Sequence, residues 1–176
     1  SQMLIKYGAD VNAVDVSGRT PLYYAVSSGS EDLVKVLIAK NANVDIADDD
    51  GWTVSHLAIM NYKKSNNMLE LLLSYNVDIN AKDVDGKTPL HWACFMRRSQ
   101  AAYALLNNKK KQVDINARDK DERTPLHLAA KENLTEIVRL LLSHNANKNI
   151  KDRRGKTPLA LAESRRYKET VQLLRE

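Results

Sequence analysis

The chain has 176 residues, of which 43% are hydrophobic, 28% charged and 6% aromatic. That composition suits one ordinary domain or one short repeat array and excludes a disordered chain. The net charge of +5 is uneven, with 6 Lys+Arg against 10 Asp+Glu in residues 1–81 and 21 against 12 in residues 82–176, a gradient able to orient an approaching partner.

No apolar run approaches the roughly 18 residues that span a bilayer. Ser1-Gln2-Met3-Leu4-Ile5-Lys6 does not read as a signal peptide, because a charge follows three apolar residues. Cys94 is the single cysteine, so no internal disulfide forms, and a reducing intracellular compartment, cytoplasmic or nuclear, is expected. With one Phe in the chain, the core is expected to be built from Leu, Ile, Val and Ala in packed helices.

Taken in chain order, residues 1–14 match only the tail of a unit: a helix, a left-handed stop at Gly8, and Ala9-Asp10-Val11-Asn12. A full unit occupies 15–47, with Thr20-Pro21-Leu22 opening a first helix and Leu33-Val34-Lys35-Val36-Leu37-Ile38 forming a second. The unit at 48–82 is irregular. It reads Thr53-Val54-Ser55-His56-Leu57-Ala58, carries an insertion near 61–67, and continues in Met68-Leu69-Glu70-Leu71-Leu72-Leu73. The unit at 83–118 opens on Thr88-Pro89-Leu90 and has an insertion near 107–112. The unit at 119–151 opens on Thr124-Pro125-Leu126 and continues in Ile137-Val138-Arg139-Leu140-Leu141-Leu142. The last, 152–176, opens on Thr157-Pro158-Leu159 and ends in a polar helix suited to a C-terminal cap.

All four prolines sit in Thr-Pro-Leu, and the five unit-opening threonines are spaced 33, 35, 36 and 33 apart. A fixed period near 33 signals a repeat architecture. The chemistry of the phrase is local: a Thr hydroxyl caps a helix, and Pro is pre-organised for the first helical position. Asn41, Asn76 and Asn145 follow the second apolar runs, where a left-handed residue stops a helix. Ser55 stands where the other units place a buried Leu, so the second unit is expected to be weak and Ser55→Leu to stabilise it.

The phrase Asp-x-x-Gly-x-Thr-Pro-Leu-His-x-Ala resembles the ankyrin-repeat signature, carried in Thr88-Pro89-Leu90-His91-Trp92-Ala93 and Thr124-Pro125-Leu126-His127-Leu128-Ala129. The resemblance covers the whole chain. It implies an all-α solenoid of about ten helices, in helix-turn-helix units joined by short β-hairpin-like fingers. The upstream tail implies further repeats before residue 1. His56, His91 and His127 share one repeat position, where the family uses His to hydrogen-bond the finger backbone and the Thr.

The resemblance also implies a protein-binding scaffold rather than an enzyme. The alternatives are a targeting or regulatory domain within a larger enzyme or channel, and nucleic-acid binding through the basic C-terminal half. No metal site is expected, since His91 and Cys94 lack the further ligands that zinc needs. No cofactor is expected either, because the glycines are spaced by the repeat and form no phosphate loop. Lys109-Lys110-Lys111 and Lys151-Asp152-Arg153-Arg154-Gly155-Lys156 lack aromatic interleaving, which makes nucleic acid the weaker reading.

In the family, binding uses the residues that vary at finger tips and at the ends of first helices. The candidate partner-binding residues are therefore Trp52, Met60, Phe95 and Met96 as an exposed apolar anchor, with Lys87, Lys120, Arg123, Lys131, Arg153, Arg154 and Lys156 around it. The partner expected on the concave face is a protein with an apolar anchor and acidic residues, and the chain is expected to be a monomer with no membrane contact. The family is often hydroxylated at an Asn in the finger, with a Leu eight residues before it. Asn80, after Leu72, is the candidate, with Asn12 and Asn116 behind it.

Overall fold

The computed structural model describes residues 10–61 and 67–176. These form ten helices, with no strand among the described residues. The helices come in pairs: α1 (Pro21–Ser28) with α2 (Glu31–Ala39), α3 (Val54–Met60) with α4 (Met68–Ser74), α5 (Pro89–Phe95) with α6 (Ser99–Leu106), α7 (Pro125–Lys131) with α8 (Thr135–Ser143), and α9 (Pro158–Ser164) with α10 (Lys168–Arg175). The first helices α1, α3, α5, α7 and α9 stack in one row, and α4, α6, α8 and α10 stack in a second. The architecture is an all-α repeat solenoid.

Each first helix begins where its Thr holds extended backbone, as at Thr88 with φ −88° and ψ 167°. Thr20 Oγ1 accepts the Tyr23 N–H at 3.1 Å, and Thr157 Oγ1 accepts that of Ala160 at 3.2 Å. The middle three units add a reciprocal cap, in which Nδ1 of His56, His91 and His127 accepts the N–H of Thr53, Thr88 and Thr124. Such capping satisfies backbone donors that the helix leaves free. Five residues after each Thr stands an alanine, Ala25, Ala58, Ala93, Ala129 and Ala162, none more than 1% exposed. A methyl group there lets neighbouring first helices approach closely.

The Leu of the motif is fully buried at Leu22, Leu90 and Leu126. Ser55 is buried in the same place, but its hydroxyl donates to the Asp78 carbonyl oxygen at 3.0 Å. The expected weakness is thus offset by a made hydrogen bond, and a leucine at 55 would leave that part-buried carbonyl without its donor.

The fingers follow from one aspartate per unit. Asp48 Oδ1 accepts the N–H groups of Asp50 and Trp52 at 3.1 and 2.8 Å, and Asp83, Asp119 and Asp152 repeat the arrangement. Successive finger tips are joined by backbone bonds, Asp49 N–H to Ser17 O, Val84 N–H to Asp50 O, Lys120 N–H to Asp85 O and Arg153 N–H to Asp121 O, all 2.8–3.1 Å. The turn requires a left-handed residue. At Gly51 (φ +76°) a Cβ would meet the Asp83 Cα at 2.9 Å, so only glycine fits without a shift. Glu122 holds the same place at φ +61°, a conformation costly for an L residue, and its carboxylate pairs with Arg118.

Asn41, Asn76 and Asn145 take φ 61–63° after the second helices, as the motif implies. Gly8, most of the 1–14 tail and residues 62–66 of the second unit's insertion lie outside the described residues. In the third unit, Lys110 Nζ donates across to the Ser74 carbonyl, so the 107–112 insertion leans on the preceding unit. The second helix of that unit, α6, was not marked by an aliphatic run. Its buried face is Ala101, Ala102 and Leu105.

Candidate functional site

The finger tips and first helices form one face, and its chemistry is set by which residue each unit puts in the same slot. The residue just before the opening Thr is Arg19, Trp52, Lys87, Arg123 or Lys156. Lys87 Nζ lies 2.7 Å from the Asp85 carboxylate and 5.6 Å above the Trp92 ring. The Lys87 ammonium holds the Asp85 carboxyl below the usual carboxylate range. Arg123 pairs with Asp121 at 2.7 Å in the next unit. In the second unit the slot holds an indole, which packs on Trp92 at 4.8 Å between centroids and reaches His56 at 6.0 Å.

This arrangement corrects the exposed four-residue anchor. Trp52, Met60 and Met96 are only half-exposed, and Trp52 packs against the core. For Trp52 the reason is Trp92, whose position is held by Leu57 and Leu128 in the flanking units. Its larger ring reaches Trp52 on one side and Phe95 edge-on at 5.5 Å on the other, while its N–H donates to Asp83 Oδ2 at 2.8 Å. Phe95 alone of the four is exposed, at 52%.

Phe95 stands at a cleft of about 230 Å³ between the third and fourth units, lined also by Asp85, Lys87, Lys120, Asp121, Arg123, Leu128, Lys131 and Glu132. Five of the candidate residues thus converge on one hollow. Arg153, Arg154 and Lys156 lie one unit further on, exposed, and Trp52 and Met60 one unit before. The cleft is less basic than its lysines and arginines suggest. Asp85 and Asp121 occupy two of them, and Lys131 Nζ lies 4.0 Å from Glu132. Val16, Tyr24 and Val84 are exposed apolar side chains on the same face that were not selected from sequence. Their recurrence at tip and first-helix positions was the available signal.

The three repeated histidines act structurally. Nε2 of His56, His91 and His127 meets the carbonyl oxygens of Lys87, Arg123 and Lys156 at 3.1, 2.9 and 3.1 Å, tying each helix to the next finger. With Nδ1 accepting from Thr, the neutral form protonated at Nε2 satisfies both partners, and burial pushes all three imidazoles below their ordinary pKa. Cys94 is fully buried, and its thiol is pushed up by that burial. Among the described residues no three His, Cys, Asp or Glu side chains cluster closely enough to hold a metal ion, and no helix is long and apolar enough to cross a membrane. Asn80 is held at both ends, its amide donating to Gln112 O at 3.0 Å and its oxygen accepting the Asp114 N–H at 2.8 Å. Asn12 and Asn116 likewise bond the following finger.

A family model described as ankyrin repeats (3 copies) matches residues 1–83, 43–119 and 109–176. The human transient receptor potential cation channel subfamily A member 1 is 35% identical over 94 residues, 52% of this chain and 8% of that protein. Human protein phosphatase 1 regulatory subunit 27 is 41% identical over 63 residues, 36% of this chain and 41% of its own length. The ADP-ribosylation factor GTPase-activating protein AGD4 of Arabidopsis thaliana is 40% identical over 58 residues, 33% of this chain and 8% of its own. The chain thus covers less than half the length of each of these relatives.

Proposed function

The chain belongs to the ankyrin-repeat family, and from that premise we propose that it is a non-catalytic module that docks a partner protein on its concave face of fingers and first helices. The observation that carries this reading is Phe95, an exposed aromatic ring at a cleft that is walled by charged pairs and Leu128, and packed edge-on against the Trp92–Trp52 stack. An aromatic ring at a cleft with a charged rim is the arrangement of an interaction hot spot. Phe95 is not part of the buried core, but its ring packs edge-on against Trp92, so the variant's melting is measured beside its binding to separate the two effects.

The test is site-specific photocrosslinking in cell extract with the reactive group at position 95 or at Arg139, which lies on the second-helix side. A partner captured from position 95 is then measured directly. Phe95→Ala should weaken it by about 2 kcal/mol, mostly through faster dissociation. Arg139→Glu should change it little. If Arg139→Glu abolishes binding and Phe95→Ala leaves it intact, the partner uses the other face.

A second reading places the module inside a larger channel or enzyme, where it positions or regulates another domain. Its support is that two of the relatives extend far beyond the matched segment, which is 8% of their length. Nucleic-acid binding through Arg153, Arg154 and Lys156 would instead show a steep fall in affinity with salt.

A further inference from the structure

Each unit carries a two-residue slot on its finger, a tip residue and the residue two places later; in the first unit these are Ser17 and Arg19, whose guanidinium lies 3.6 Å from Asp48. In the third and fourth units the slot is filled by an internal ion pair, Asp85–Lys87 and Asp121–Arg123, each 2.7 Å. In the second unit the same slot reads Asp50 and Trp52, so the tip acid has lost its cation. In the fifth it reads Arg154 and Lys156, so the cations have lost their acid. Among the described residues no ion pair forms at Asp49, Asp50, Lys120, Arg153, Arg154 or Lys156. Once the internal pairs are set aside, the tips run from two unpaired carboxylates, through a neutral third unit and Lys120, to three unpaired cations. The backbone bonds between successive tips hold this ramp in fixed register.

We infer that the face recognises a dipolar peptide segment: basic where it crosses the second unit, apolar at the Phe95 cleft, and acidic where it reaches the fifth. This rests on the docking reading above and adds the polarity of the ligand. Neither charge is met by an ion pair among the described residues, so a partner of uniform sign would face repulsion at one end. Three repeat steps at helix-packing distances of about 10 Å span about 30 Å, the reach of about nine residues of extended chain. The apolar residue therefore belongs near the middle of such a segment, four or five residues from either charged end.

The test is selection of a displayed library of random 16-residue peptides against the 176-residue chain, alongside D49K/D50K, R153E/R154E and Phe95→Ala. Asp49, Asp50, Arg153 and Arg154 are exposed and form no ion pair among the described residues, so the charge reversals should melt like the parent, while Phe95→Ala loses its edge contact with Trp92 and is compared at a temperature where it remains folded. The parent should enrich peptides with Lys or Arg at one end, Leu, Phe or Met centrally, and Asp or Glu at the other. Each charge reversal should weaken that class about tenfold at low salt. D49K/D50K should instead enrich peptides acidic at both ends, and R153E/R154E peptides basic at both. Enriched peptides that are uniformly acidic, ignore D49K/D50K and still depend on Phe95 would overturn the dipolar inference and leave the docking face standing. Peptides indifferent to Phe95→Ala and to both reversals would overturn both. Enrichment of no class above background would overturn the inference as well.

Discussion

Acidification from pH 7.5 to 5.5 should destabilise this solenoid through His56, His91 and His127. All three are fully buried, and each accepts a Thr N–H at Nδ1 while meeting the next finger's carbonyl at Nε2. Protonating Nδ1 would turn that acceptor into a donor aimed at another donor. Burial is the largest influence and lowers each pKa. The carbonyl bond and nearby carboxylates, such as Asp83 and Asp48 around His56, oppose it without reversing it. Unfolded imidazole titrates near 6.5. Below that pH the unfolded chain binds more protons than the folded one, so stability is full above about 6.5 and is lost as pH falls towards the folded values. If a histidine stays neutral when folded, the loss over this interval is about 1.4 kcal/mol, which makes about 4 kcal/mol an upper bound for three. Carboxylates titrate mainly below this window. Urea denaturation followed by Trp52 and Trp92 fluorescence at pH 7.5, 6.5 and 5.5 measures it, and His91→Gln should flatten the slope by about a third. A midpoint that is constant, or that rises on acidification, would refute the reasoning.

Other outcomes follow from single positions. Glu122→Gly should raise the melting temperature, because relief of the left-handed backbone, about 1 kcal/mol, exceeds the exposed Arg118 pair it removes; a lower value would show the ion pair to dominate. Ser55→Leu should lower stability by about 1–3 kcal/mol by leaving the Asp78 carbonyl without its donor, and a higher denaturation midpoint would restore the simpler view that the site wants a hydrocarbon. Trp52→Ala should cost about 2–3 kcal/mol of folding stability before any partner is present. An unchanged denaturation curve would mean that the indole is a surface group after all. Asn80 is proposed as a hydroxylation site reached only when its finger bonds open. Treatment with an asparaginyl hydroxylase and its co-substrates should add about 16 daltons, one oxygen atom, and an unchanged intact mass sinks the proposal.

The repeat itself was legible in the chain because its signals are local. Thr caps, Pro at the first helical position, Asn in left-handed stops and Gly at finger turns each act within a few residues, so Thr88-Pro89-Leu90-His91 announces a helix start without reference to anything distant. The role of the repeated histidine came from the family resemblance, and the carbonyls it reaches lie one unit away. Helix α6 was harder, since Ala101 and Ala102 bury little apolar surface and leave a weak periodic trace.

The site was legible as positions but not as surface. Finger and helix-end slots could be located by counting, and five of those candidates meet at one cleft. Exposure could not be counted, because it depends on neighbours in the adjacent unit. Trp52 is partly buried in part because Trp92, forty residues later in sequence, stands beside it in the stack. Ser55 is satisfied only because the chain returns with the Asp78 carbonyl. Net charge misled for the same reason: Lys87 and Arg123 are cations in the sequence, while in the fold Asp85 and Asp121 pair with them. Local chemistry determined where helices start and stop, whereas burial, pairing and residual charge are properties of contacts between repeats and were decided only by their stacking.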